Sequence, residues 1–170
     1  MAHTTIGRYF EILVDCLVAE RIEPITESRS RKRLIKASRF LLFDMGVRRH
    51  AAQEGTHLIP QRMGQLFEQF VGLELLRQAR LETKSSRLRY WKDSAGPEVD
   101  WVLEQEGTYV PIEVKWSENP SPGEVKHLHT FLEEYKNAPR GYVICRTPRR
   151  LKLSSKVDAI PWQEIPTLFD

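Results

Sequence analysis

The chain has 170 residues, with 41% hydrophobic and 29% charged side chains and a net charge of +3, enough for one soluble domain of ordinary size, or one domain plus a small appendage. No run approaches the ~18 apolar residues of a membrane span, and no charged-then-apolar leader opens the sequence. Cys16 and Cys145 stand far apart in apolar runs, with neither disulfide nor metal spacing, which suits a reducing cytoplasm.

In chain order, Ile6, Phe10, Leu13 and Val14 recur at near-helical spacing within "TTIGRYFEILVDCLVAERI", so a helix is expected almost from Met1. The abrupt start suggests a piece of something longer. The apolar face of this helix asks for a partner: an upstream segment, the rest of the chain or a second copy. "LVAERIEPI" (17–25), "RLIKA" (33–37) and "RFLLFD" (39–44) read as short strands around the basic loop "SRSRKRLIK". Arg31, Lys32, Arg33 and Lys36 in that loop would suit a phosphate backbone. "MGVRRHAA" reads as a short helix, and 53–60 as a linker.

From Gln61 a long helix is expected, with Met63, Leu66, Phe67, Phe70, Val71 and Leu75 on its apolar face. Glu68 sits among them, with Gly64 and Gly72 four residues to either side. A helical glycine costs about 1 kcal/mol relative to alanine, so the pair points to close backbone approach along that stripe. "RLRYWKD" (87–93) is a strand.

A hairpin follows in "GPEVDWVLEQEGTYVPIEVKW" (96–116), with alternating apolar residues and a turn at Glu106-Gly107. That turn makes the numbers of opposed residues add to 213. Val99 then meets Val114 and Trp101 meets Ile112 on the core face. Asp100 meets Glu113 and Glu98 meets Lys115 on the other. Two opposed carboxylates repel. A hard divalent cation, Mg2+ or Mn2+, would relieve this, held by Asp100, Glu113 and the Val114 carbonyl. Lys115 leaves the same face as Glu113 and could orient a water or stabilise charge on a phosphate. The bland alternative is a set of solvated charges on a sheet with one wet face.

Ser121-Pro122-Gly123-Glu124 is a capping box with proline at the first helical position, and Val125, Leu128, Leu132 and Tyr135 continue at helical spacing. "GYVICR" (141–146) adds a strand and "DAIPW" (158–162) a further one. The order helix, three strands, helix, strand predicts an α/β sandwich: a central mixed β-sheet flanked by helices. Trp91, Trp101, Trp116 and Trp162 read mostly as packing residues, with Trp91 the least certain.

Asp100 followed by Glu113-Val114-Lys115 resembles the PD-(D/E)XK nuclease signature, with Val99 where the motif places proline. The resemblance implies a restriction-endonuclease-like fold and a magnesium site, with Glu68 matching the helix acid of many members. "GQLFEQFVGLELL", "RYWKDSAGPEVDWVL", "PIEVKWS" and "IPWQEI" further resemble a C-terminal domain of unknown function in prokaryotic AAA+ ATPases. That likeness implies a partial winged-helix-like α+β segment over 1–52, a nuclease-like domain over 61–170, and an ATPase module as partner. The chain contains no G-x-x-x-x-G-K-[ST] loop, so it carries no ATPase activity of its own. Two functions follow: magnesium-dependent hydrolysis of DNA by Glu68, Asp100, Glu113 and Lys115, or a catalytically silent module that binds nucleic acid or a partner.

Overall fold

The computed structural model describes residues 3–28, 34–55, 58–82 and 85–169. Its centre is a six-stranded mixed sheet in the order β3-β4-β5-β6-β8-β7. The strands are β3 (Ser86–Lys92), β4 (Glu98–Gln105), β5 (Thr108–Val114), β6 (Gly141–Cys145), β7 (Leu151–Lys152) and β8 (Val157–Pro161). The first three form an antiparallel meander; β6 runs parallel to β5 and β8 parallel to β6. Helix α3 (Pro60–Leu81) and the short helix α4 (Lys126–Glu134) each lie against one hydrophobic cluster of the sheet. The expected α/β sandwich with a helix-flanked mixed sheet is therefore the architecture observed. Among the described residues no helix is long and apolar enough to cross a membrane.

The two clusters divide by sequence period. Phe67, Val71 and Leu75 of α3 meet Trp101, Leu103, Ile112 and Val114. Leu128, Phe131 and Leu132 of α4 meet Trp91, Val102, Val143 and Cys145 on the other side. Trp91 is fully buried here, with Phe131 set edge-on to its ring at 5.5 Å. The Ser121–Glu124 capping box forms, but it opens a single 3-10 turn (Pro122–Val125) that leads into α4.

Of the two glycines flanking Glu68, only Gly72 marks a close approach. A Cβ on Gly72 would lie 2.6 Å from the Trp101 ring, whereas Gly64 has open space around it. The Trp101 indole N–H donates to the Glu68 carbonyl at 3.1 Å. One tryptophan thus fixes both the distance and the rotation of α3 over the sheet.

The N-terminal segment comprises α1 (His3–Asp15), an antiparallel pair β1 (Ala19–Ile22) and β2 (Arg39–Leu42), and α2 (Met45–Ala51). Helix α1 leaves Ile6, Tyr9 and Ile12 exposed while Phe10 stacks on Phe40 of β2 at 4.3 Å. Of the strand expected over 33–37, residue 33 lies outside the described residues and 34–37 form no strand: Leu34 makes one isolated bridge to Asp93, and Ile35 donates to the Lys92 carbonyl. Ile25 likewise donates to the Tyr90 carbonyl. These contacts occupy the outer edge of β3, which would otherwise be an open template for pairing. Ile22 and Leu41 join the α3-side cluster and Ile25 the α4-side cluster. Arg31, Lys32 and Arg33 of the basic loop lie outside the described residues, and Lys36 is exposed. In the basic stretch 146–152, Arg146 binds Glu118 and covers the Trp116 ring, and Arg150 binds Glu164.

Candidate metal and phosphate site

The hairpin register is the one the turn dictates. Glu106 and Gly107 both have positive φ, as a two-residue turn of the I′ type needs, and Trp101 pairs with Ile112. The regular alternation then breaks. On the β3 side, Arg89 pairs with Val102 but Trp91 with Val99, so Asp100 and Trp101 together oppose Tyr90. This is a β-bulge, a device that re-aims side chains next to sites. Val99 consequently joins the α4-side cluster while Trp101 joins the α3-side cluster, correcting the expectation that they share a face.

The bulge also changes where the acids go. The β4–β5 ladder ends at Trp101–Ile112, and the Val114 N–H beyond it donates to the Asp100 carboxylate at 2.9 Å. Asp100 and Glu113 are 9% and 8% exposed, so these two are not solvated charges on a wet face, whereas Glu98 and Lys115 border solvent. Glu98 does not oppose Lys115 as expected; it pairs across β3–β4 with Lys92, while Lys115 Nζ sits 2.8 Å from Glu113 Oε1. Glu68 reaches the group from α3, close enough that the Asp100 charge acts on it.

Arg39 is the member that sequence reading missed. It comes from β2, 61 residues before Asp100, and donates to the Asp100 carbonyl at 3.1 Å. It stands 3.4 Å from Glu68 Oε1 and 3.9 Å from Glu98 Oε2. Its guanidinium lies 4.3 Å from the Tyr90 ring centre. Only the aromatic residues of β3 and β4 hint at it, since arginine favours such faces.

Residues 63–165 match the family described as "Domain of unknown function (DUF4143)", more than half of the chain. The chain belongs to the DUF4143 family. Residues 1–58 match a second domain of unknown function, DUF8612. No curated protein and no solved structure matches the chain. Glu68, Asp100, Glu113 and Lys115 thus all fall within the DUF4143 match, whereas Arg39 is contributed by the DUF8612 match.

Electrostatics within the DUF4143 site favour an added cation. Burial, then the Asp100 charge, pushes Glu68 and Glu113 each up to about 7, and burial also raises Asp100. Lys115 stays charged: burial pulls it down, but its bond to Glu113 and the nearby acids outweigh this and raise it. Glu113 Oε2 is buried without a hydrogen-bond partner. With every group ionised, Glu68, Glu98, Asp100 and Glu113 outnumber Arg39, Lys92 and Lys115, and Glu124 adds its charge near Lys115, so the group is net negative. Among the described residues no three His, Cys, Asp or Glu side chains form a metal-binding group by themselves. Two buried carboxylates, one with an orphaned oxygen, still fit magnesium, which usually takes one or two carboxylates and completes its shell with water and phosphate oxygens.

The raised carboxyls set a pH signature. Glu113 takes up a proton in the folded chain at a pH where the unfolded chain, with an ordinary value of 4.5, has released it. Its contribution to stability is fully present below 4.5 and is lost as pH rises through about 7. Urea midpoints of wild type and Glu113→Gln, measured without divalent ions, should therefore diverge as pH rises from 5 to 8, with wild type losing ground. A constant difference would contradict the strained, buried carboxylate.

Proposed function

We propose that this chain hydrolyses phosphodiester bonds of nucleic acid, most simply DNA, with Mg2+ or Mn2+ held by Asp100, Glu113 and the Val114 carbonyl. The observation that carries this reading is the buried, unpartnered Glu113 Oε2 beside a second buried carboxylate. Held there, the cation would supply Lewis-acid chemistry, polarising a phosphate and lowering the pKa of a coordinated water. Lys115 presents its ammonium beside Glu113, where it orients that water or offsets charge on the phosphate. Glu68, with a proton affinity centred near 7, is suited to accept the proton released at neutral pH. The resemblance to PD-(D/E)XK nucleases supports the same roles; the resemblance to the C-terminal domains of AAA+ ATPases, whose function is unknown, adds only an ATPase module as controlling partner.

Titration calorimetry with Mn2+ should reveal one site in the intact chain that is lost in Asp100→Asn. Asparagine keeps an oxygen for the Val114 N–H, so the fold is preserved. Equal heats in the two proteins would overturn the site. A silent nucleic-acid-binding module draws on one observation, the lack of a ready three-residue metal group among the described residues. Absence of Mn2+ binding by the wild-type chain, with DNA binding intact, would select that alternative.

A further inference from the structure

We propose that Arg39 is a phosphate clamp, supplied to the DUF4143 site by the N-terminal segment, that grips the nucleic-acid backbone at the bond to be cleaved; this rests on the hydrolytic reading above. Three features of Arg39 lead there.

The guanidinium is fixed in place before any ligand arrives. It lies over Tyr90 and donates to the Asp100 carbonyl at 3.1 Å, so its position is set by β3 and β4 as well as by its own strand. Tyr90 is itself tied to the N-terminal segment through its hydroxyl, which donates to the Ala37 carbonyl. A guanidinium held by stacking loses little freedom when it forms new hydrogen bonds.

Its donors are not used up by its ion pairs. Arginine carries five N–H donors in a planar fork. Nη1 serves Glu68 at 3.4 Å and the Asp100 carbonyl, while Nη2 has Glu98 only at 3.9 Å. Glu98 is already neutralised by a close bond to Lys92, and that bond with the Lys92 and Arg39 charges overcomes burial to hold its carboxyl below the usual range. Release of Nη2 from Glu98 therefore costs little. The side chain is also 27% exposed, so a ligand can reach it.

The charges of the site give this cation a task. A divalent ion bound by Asp100 and Glu113 would offset the acids that Arg39 now serves, leaving its own charge to meet a phosphodiester. Lys115 pairs with Glu113 and Arg39 with Glu68, and both charges act on Asp100, so a phosphate drawn to a cation at the acids would meet both. A fork of two N–H groups matches two phosphate oxygens in a way that an ammonium cannot.

The test uses the full chain and a short single-stranded DNA oligonucleotide, with Ca2+ present to limit cleavage. Fluorescence anisotropy should show that Arg39→Ala binds the oligonucleotide about tenfold to a hundredfold more weakly. Arg39→Lys should recover only part of the loss. Mn2+ binding to Arg39→Ala should be retained or strengthened, because a competing positive charge has gone. Unchanged oligonucleotide affinity in Arg39→Ala overturns the clamp, as does tighter binding, which would make Arg39 a plug. Loss of Mn2+ binding together with a collapsed melting transition makes Arg39 structural and also overturns it. Failure of the intact chain to bind the oligonucleotide refutes the clamp whatever the metal result. Failure of the intact chain to bind Mn2+, with the Arg39-dependent loss of oligonucleotide affinity still seen, removes the hydrolytic reading and leaves the phosphate contact standing.

Discussion

If the chain hydrolyses DNA as proposed, replacing Lys115 with alanine is expected to slow magnesium-dependent nicking of plasmid DNA by about a hundredfold to a thousandfold, the loss typical of removing one preorganised charge-stabilising group. The ammonium is 31% exposed and only 2.8 Å from Glu113, so it borders both solvent and the buried acids. Its proton is held firmly, since the acids around it raise its affinity above the ordinary lysine value despite burial. It therefore acts as a fixed positive charge and not as a neutral base. Binding of Mn2+ should survive the substitution, because the carboxylates remain and a competing cation is removed. This split between metal binding and turnover separates a catalytic role from a structural one. A nicking rate equal to wild type would remove Lys115 from the machinery.

Trp101→Ala should cost about 3–5 kcal/mol in urea-induced unfolding, among the largest losses a single core truncation gives. The indole is 2% exposed and fills the space against Gly72, where not even a methyl group fits. Truncation opens a cavity on the α3 face and leaves the Glu68 carbonyl without its indole donor. The consequence reaches the site, because Glu68 rides on the turn of α3 that Trp101 holds. Gly72→Val should destabilise by the opposite route, overpacking, at about 1–3 kcal/mol. A loss below about 1 kcal/mol for Trp101→Ala would mean that α3 is positioned by other contacts.

Much of this was legible in the residues. The Glu-Gly turn set the hairpin register, and the 3.6-residue period of 61–81 set the buried face of α3. The capping box located the start of the second helical segment. What the sequence hid has physical causes. A bulge leaves no reliable mark in a strand of alternating residues, so Val99 was expected on the face of Trp101 and Glu98 opposite Lys115. Gly64 and Gly72 look alike in sequence; only the tryptophan opposite Gly72 distinguishes them. Residues 33–37 have strand-like composition, yet the edge of β3 takes up just Leu34 and Ile35. The two-residue β7 lies in a basic stretch with no alternation to reveal it. Arg39 acts across 61 positions of sequence, and nothing local encodes that contact.

The bulge has a mechanical consequence. Val99 is embedded in one hydrophobic layer and Trp101 in the other, with Asp100 joining them through a single rigid peptide stretch. Any ligand that draws Asp100 towards Glu113 pulls on both layers at once, like a rivet tightened through two plates. α3 and α4 share no cluster, and Asp100 is the buried acid of the site that lies between their two layers. Slowing of amide exchange on ligand binding would then extend beyond the residues that touch the ligand, to Leu75 on one side of the sheet and Leu128 on the other.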